Sequence, residues 1–386
     1  LCSVPSDCRS YTCADGYSCT ECSDEKYRCS RGGVIVRTIG INMRFLSQLA
    51  KEQLAGKTCL LRINLDIKDS QKDSPRIDAA VPTIKFLLAN GAQPIILSHR
   101  GRPDAVDPNL SLKPLIDILN QKIFGRKIFG SGSIRLTTSP TSLDWLENLR
   151  FDPREQSNDQ LLAKELADKG DFYVNDDFAT SHRISASLVG ITKFLPSYAG
   201  LLLEREIKNL SKVMENPEKP LVIIIGGIKI EDKVGMINQF MNIADYFLIG
   251  SAYSKFQISN SKFQNEKIIF PEDYISENGK KLDIGPKTIE QFSKLISAAK
   301  TVIWNGPVGM FENPAYAVGS EKIAEAIIAS RAFSLVGGGD TDQFLHQFGL
   351  KNKFSFVSTG GGAMLEFLSG KKLPALTALE NSPLQL

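Results

Sequence analysis

The chain has 386 residues, enough for two domains or one large α/β unit with a sizeable core. Its 46 Lys and Arg against 43 Asp and Glu leave a net charge of +3, too small to point to nucleic acid as a partner. No stretch approaches the roughly 18 consecutive apolar residues of a membrane span, so a soluble protein with no membrane partner is expected.

Cysteine is spread unevenly. Cys2, Cys8, Cys13, Cys19, Cys22 and Cys29 crowd the first 29 residues, and Cys59 is the only other one. A disulfide or zinc module would need paired ligands, yet there is one C-x2-C, Cys19 with Cys22, and no histidine before His99. The competing reading takes residues 1–42 as a Cys-rich extension without a packed core, disordered or upstream read-through. Met43, the first methionine, then looks like a natural start. Val34-Ile35-Val36 is far shorter than the apolar core of about 7 to 15 residues that a secretory signal needs, and a cytoplasmic location is expected.

From Lys57 onward apolar runs alternate with amphipathic segments, the pattern of parallel strands joined by helices. The spacing predicts strands at 58–67, 94–98 and 171–175, and helices at 77–90, 112–123 and 201–214. The last of these contains no glycine or proline and sits between two α/β halves, so it is a candidate hinge element. Strands are predicted again at 221–225, 246–249, 267–270, 301–304, 333–336 and 354–357, with helices at 289–299 and 321–329 among them. The expected fold is two doubly wound, Rossmann-like parallel-sheet domains joined by an interdomain helix.

Several of the later strands end in glycine: Gly226-Gly227, Gly337-Gly338-Gly339-Asp340 and Gly360-Gly361-Gly362. Ligands of open parallel sheets bind beyond the carboxyl ends of the strands, where these turns fall. After Gly227 come Lys229 and Lys233, which share a helical face if the helix has begun by Lys229; with helix-start N–H groups they would form a phosphate site. Neither a P-loop signature nor a complete dinucleotide fingerprint occurs. The first half has the opposite inventory. Arg76, His99, Arg102, Arg150 and Arg183 each fall near a strand end or in the loop after it, and guanidinium forks suit a small, multiply anionic substrate.

Taken in order, Ser98-His-Arg-Gly-Arg-Pro103, Glu147-Asn-Leu-Arg-Phe151, Gly226-Gly-Ile-Lys-Ile-Glu-Asp-Lys233, Asp283-Ile-Gly-Pro-Lys-Thr288, Trp304-Asn-Gly-Pro307, Gly337-Gly-Gly-Asp-Thr341 and Ser358-Thr-Gly-Gly-Gly-Ala363 resemble the motifs of phosphoglycerate kinase over residues 43–380. The resemblance implies a phosphoglycerate-binding domain at 43–200, a hinge helix at 201–217, a nucleotide-binding domain at 218–370 and a tail, 371–386, returning to the first domain. It implies reversible phosphoryl transfer between ATP and the carboxylate of 3-phosphoglycerate, run in glycolysis from 1,3-bisphosphoglycerate and ADP, by a monomer. Arg76, Lys229 and Lys233 would be catalytic. Asn64, Asp66, His99, Arg102, Arg150, His182 and Arg183 would join Arg76 in holding phosphoglycerate. ATP or ADP, with Mg²⁺ on Asp340, would lie against Gly227, Gly250, Gly285, Pro286, Asn305, Glu312, Gly338, Gly339, Thr341, Gly361 and Gly362.

Departures from the family pattern matter as much. Where the family reads Val-Asp-Phe-Asn-Val-Pro, this chain has Ile63-Asn64-Leu65-Asp66-Ile67-Lys68, with acid and amide exchanged. The donor and acceptor pattern facing the substrate hydroxyl is then expected to be reversed. Ala179 and Ser185 replace a family glycine and histidine, and Ser251 and Ala252 stand where the family has glycines. The 32 residues between Gly250 and Asp283 form a shorter span than the family's. These changes leave a second expectation open, a divergent homologue that binds anion or nucleotide with little or no turnover.

Overall fold

The computed structural model describes residues 10–12, 18–20, 43–67, 75–125, 142–227, 231–250 and 266–383, with backbone alone at 10–12, 18–20 and 231. In the N-terminal extension, β1 (Ser10–Thr12) pairs antiparallel with β2 (Ser18–Thr20). The remaining expectations for 1–42, including any pairing of its cysteines, fall outside the described residues, as do those for Lys229 and for Ser251 and Ala252. Among the described residues no helix is long and apolar enough to cross a membrane.

The first domain is built on β3 (Thr58–Arg62), β4 (Gln93–Leu97), β5 (Asp144–Trp145), β6 (Phe172–Asn175) and β7 (Ser197–Ala199), all parallel, in the spatial order β5-β4-β3-β6-β7. The second holds β8 (Leu221–Ile225), β9 (Tyr246–Ile249), β10 (Ile268–Ile269), a separate antiparallel hairpin of β11 (Tyr274–Glu277) and β12 (Lys280–Ile284), then β13 (Thr301–Asn305), β14 (Phe333–Gly337) and β15 (Phe356–Val357). Its six-stranded sheet runs β10-β9-β8-β13-β14-β15. In each sheet the chain order reverses beside the first strand, between β3 and β6 and between β8 and β13. The crevice beyond the carboxyl ends of such a pair is where doubly wound sheets take ligands. Both central strands are buried from end to end or nearly so, as continuous apolar runs require when helices cover both faces.

The first strand ends at Arg62, not at residue 67. Ile63 keeps one ladder bond, to the Leu97 carbonyl at 3.0 Å, and then the Ser98 hydroxyl takes over, accepting from Leu65 N at 3.0 Å and donating to Ile63 O at 2.8 Å. Lys233 ends a short turn, Glu231–Lys233, and the helix that follows begins at Val234.

The helix Leu201–Glu215 joins the domains. Leu203, Ile207 and Leu210 pack on its buried stripe, in a cluster that runs from Leu60 and Tyr173 of the first sheet to Ile223 and Ile225 of the second. Each end of the junction is fixed by a buried carboxylate. Asp176, just after β6, accepts from Leu202 N at 2.9 Å and Leu203 N at 3.1 Å, capping the helix from outside it. A side chain at Gly200 would collide with that carboxylate, its Cβ 2.3 Å from Oδ1. Glu206 reaches the second domain, accepting from Thr359 N at 2.6 Å and Thr359 Oγ1 at 2.8 Å. Across the same seam the Phe178 and Phe367 rings meet edge to face, with centroids 6.4 Å apart.

Burial pushes the Glu206 carboxyl up to about 7 against the pull of its Thr359 bonds. An acid whose folded pKa is raised contributes stability that is fully present below its unfolded value, near 4.5, and is lost as pH rises through 7. Glu206→Gln keeps the acceptor for Thr359 and removes the buried charge. Urea denaturation at pH 5 and pH 8 is expected to give the variant a flatter pH dependence and a gain of about 1 to 3 kcal/mol at the higher pH. Asp176, raised to about 6 by burial, keeps its own share of the slope. An undiminished slope in the variant would remove Glu206 from that role.

The C-terminal segment turns back to the first domain. Ala375 N, in the helix Pro374–Glu380, donates to Ser181 O at 3.1 Å; Ser382 bonds Leu195 O through its hydroxyl at 3.3 Å and receives Arg44 Nη2 at 2.7 Å.

Candidate functional site

At the carboxyl end of the first sheet, basic side chains converge on His99. Asn148 organises them. Its Oδ1 accepts from Arg100 N at 3.1 Å and Arg150 N at 3.2 Å, while its Nδ2 donates to Arg100 O at 2.7 Å, so one buried amide ties the loop after β4 to the turn carrying Arg150. Arg150 Nη1 donates to Gly101 O at 2.6 Å. Burial, and then Arg183 and Arg62, bring the Arg150 guanidinium down to about 10. His99, 1 % exposed, is held well below the ordinary histidine value by burial and by Arg62, Arg150, Arg183 and Arg76. Burial and the neighbouring guanidiniums both disfavour a second proton on the ring. Arg76 Nη1 donates to Asp66 O. Arg102 is exposed on the same loop. Arg100 faces away from this group; its Nε donates to Ile67 O at 2.9 Å and its Nη1 to Asn109 O at 3.0 Å, which fixes the loop.

The exchanged pair, just past the end of β3, is used asymmetrically. Asn64, 9 % exposed, gives Nδ2 to Asp177 Oδ1 at 2.9 Å and takes Asp66 N on Oδ1 at 3.1 Å, so both ends of its amide are occupied within the protein. Asp66 faces the basin, its Oδ1 accepting from Gly101 N at 2.8 Å and its Oδ2 lying 3.9 Å from His99 Nε2. Of the two, only Asp66 presents its side chain to the basin. His182 stands toward the second domain instead; a Cβ on Gly362 would lie 3.9 Å from its Cε1.

The second domain holds a cleft of about 720 Å³ whose lining includes Lys233, Asn305, Gly338, Asp340, Thr341 and Gly361. It opens at the switch between β8 and β13, and glycines there let backbones touch. A Cβ on Gly226 would come 2.0 Å from Pro307 O, and one on Gly306, whose φ is +91°, 2.3 Å from Gly226 O. Thr341 Oγ1 accepts from Gly306 N at 2.8 Å and Asn305 Nδ2 donates to Gly337 O at 2.8 Å, locking the two turns together. The helices Gly339–Gln347 and Gly361–Leu368 both begin at the cleft, presenting free N–H groups and the positive ends of their dipoles. Lys233, 6 % exposed, donates to Gly226 O, and burial brings its ammonium down to about 8 against the attraction of Asp340 and Asp232.

Other glycines named from the sequence have different settings. Gly250 is buried and backs Gly226, where its Cβ would be 3.1 Å from Gly226 Cα. Gly227 has φ +78°, and its Cβ would lie 3.0 Å from Lys233 Nζ. Gly285 bonds Asp273 O through its N–H at 2.9 Å and caps the helix Pro286–Ser297 that starts with Pro286. Gly227, Gly250, Gly285, Pro286 and exposed Glu312 lie outside the lining of the cleft. Gly338, Gly339, Gly361 and Gly362 belong to it. Arg62 was not singled out from sequence. The signal was there: an arginine closing a buried apolar strand needs an acid partner, here Asp177 at 3.1 Å.

The sequence model described as phosphoglycerate kinase matches residues 49–258 and 251–371. The phosphoglycerate kinase of Dictyoglomus turgidum is 38% identical over 388 residues, covering 86% of this chain and 98% of that protein. The Thermosipho africanus phosphoglycerate kinase is 39% identical, covering 85% and 96%. The chain belongs to the phosphoglycerate kinase family. Its fold agrees: the structure of phosphoglycerate kinase from Coxiella burnetii superposes with a TM-score of 0.74 at 31% identity, covering 87% of this chain and 98% of that one. The phosphoglycerate kinase reaction, reversible phosphoryl transfer between ATP and the carboxylate of 3-phosphoglycerate, is the function of this chain, and the two opposed basins suit it. The alternative of a homologue without turnover is not favoured.

Proposed function

We propose that the arginine basin holds 3-phosphoglycerate or 1,3-bisphosphoglycerate and the glycine-lined cleft holds the nucleotide, the phosphoryl group passing between them as the domains close. The convergence of Arg62, Arg76, Arg150 and Arg183 on His99 carries this reading, since it places several fixed positive charges around one neutral donor. Arg150 and Arg183 hold the substrate's phosphate and carboxylate oxygens. Asp66 accepts from its hydroxyl. The acceptor carboxylate is ionised at neutral pH, so no general base is required. Arg76, at the rim beside Thr359 of the second domain, neutralises charge on the transferring group together with Lys233 and, from sequence alone, Lys229.

Asp340 is an exposed carboxylate in the cleft, and one carboxylate plus nucleotide phosphates is a set that Mg²⁺ commonly takes. Bound there, Mg²⁺ would supply further neutralisation of phosphate charge. The helix N-termini at Gly339 and Gly361 orient the phosphates, and Asn305 and Thr341 hold the turns that present them. The same reading makes the enzyme a cytoplasmic monomer. A coupled assay of the full chain with 3-phosphoglycerate and Mg-ATP is expected to give turnover that needs both substrates. Absence of turnover above background, with both ligands bound by calorimetry, would contradict the reading.

A further inference from the structure

We propose that Arg62 is a positioning residue for this reaction, fixing His99 as the neutral ring that carries its proton on Nε2 and offers it to an anionic oxygen of the substrate. The inference rests on the proposed place of His99 in the phosphoglycerate basin. Arg62 is 2 % exposed and held on every side. Its Nε donates to Ser187 Oγ at 3.1 Å, and Ser187 in turn donates to Glu155 Oε1 at 2.6 Å. Its Nη1 donates to Ile63 O at 2.6 Å and pairs with Asp177 Oδ2 at 3.1 Å. Asp177 is itself fixed, accepting from Thr180 Oγ1 at 2.6 Å and from Asn64. The remaining nitrogen, Nη2, lies 2.6 Å from His99 Nδ1.

A guanidinium has no lone pair to offer, so Nδ1 must accept, and the ring's single proton sits on Nε2. That nitrogen faces the basin, 3.9 Å from Asp66 Oδ2. The charged groups around the ring are Arg62 from β3, Asp66 from the loop after it, Arg76 from the helix Pro75–Ala89, Arg150 from the turn Leu149–Phe151 and Arg183. With positive charge predominating, protonating Nδ1 would set an N–H against an N–H and add a cation among cations. His99 thus remains a donor of fixed direction, and substrate capture does not follow an ordinary histidine titration. The exchange of acid and amide after β3 fits this arrangement, because Asn64 supports Asp177 beneath Arg62 while Asp66 stands opposite Nε2.

The chain has 3 histidines, so His99 can be assigned in a ¹⁵N-labelled sample by comparison with His99→Gln. Long-range ¹H–¹⁵N spectra of the free enzyme between pH 5.5 and 8 are expected to show an unprotonated, accepting Nδ1 and a protonated Nε2 throughout. The Nε2 signal should then shift on adding 3-phosphoglycerate. A proton on Nδ1, or a ring that titrates near the ordinary histidine value, would overturn the role of Arg62. A correct tautomer that ignores 3-phosphoglycerate would instead overturn the placing of substrate at His99. Arg62→Met is expected to raise KM for 3-phosphoglycerate roughly tenfold, about the worth of one directed hydrogen bond, and to make it depend on pH with kcat little changed. An unchanged KM in a folded variant would also contradict the proposal, and if the variant does not fold, the spectra of the unaltered enzyme still decide.

Discussion

Arg76→Ala is expected to lower kcat by about 10²- to 10³-fold while the KM for ATP changes by less than about threefold. The guanidinium stands at the rim of the first basin, donating to Asp66 O and lining, with Asn64 and Thr359, the small gap between the domains. On the proposed reading, a charge in that position meets the transferring phosphoryl group more closely than either ground-state ligand, so its removal should act mainly on the transition state. Truncation removes the bond to Asp66 O, and the fold is expected to persist because Arg76 is only half-buried at the start of its helix. Steady-state kinetics would show the split between kcat and KM. A kcat within about threefold of the unaltered enzyme would mean that Arg76 does not take part in the transfer.

Gly226→Ala is expected to cost about 3 kcal/mol or more of stability and to abolish nucleotide binding. The new methyl would lie 2.0 Å from Pro307 O, 2.4 Å from Gly306 O and 2.5 Å from Pro307 C, all backbone atoms that no rotamer change can clear. The ends of β8 and β13 would have to separate. That would break the bonds from Gly226 N to Asn305 O at 3.0 Å and from Gly227 N to Pro307 O at 2.8 Å. Gly339→Ala serves as the comparison, since nothing lies within 4 Å of its would-be Cβ. Urea denaturation should separate the two variants clearly. Equal stability would mean that the close approach of the two turns has been misjudged.

What could be read from sequence follows from how locally each feature is determined. β8 is legible because five apolar residues followed by two glycines need no partner to reveal a buried strand and its turn. The interdomain helix is legible because its stripe repeats over a stretch without glycine or proline, and the observed Leu201–Glu215 differs by a single residue from the expected span. β5 has only two residues and β7 three, too few for a period, and both exist because a neighbour supplies the ladder. In the mostly polar hairpin of β11 and β12 the alternation is confined to Leu282 and Ile284, too short to mark a strand. The arginines were recognisable as a group by position. The network through Arg62, Asp177, Ser187 and Glu155 was not, because it joins side chains up to 125 residues apart. Lys233 was legible as a phosphate candidate, but its return onto the Gly226 carbonyl depends on a turn that periodicity does not encode.

Solution scattering tests most directly whether the two basins work by coming together. Each is built within its own domain, and the Leu201–Glu215 helix between them is anchored at Asp176 in one and Thr359 in the other. One ligand offers charges that only one domain grips, while two ligands together offer each domain something to hold across the gap. The radius of gyration is expected to fall when 3-phosphoglycerate and a non-reacting nucleotide are both present at saturation, and to stay near the free value with either alone. An unchanged radius with both bound would contradict transfer by domain closure.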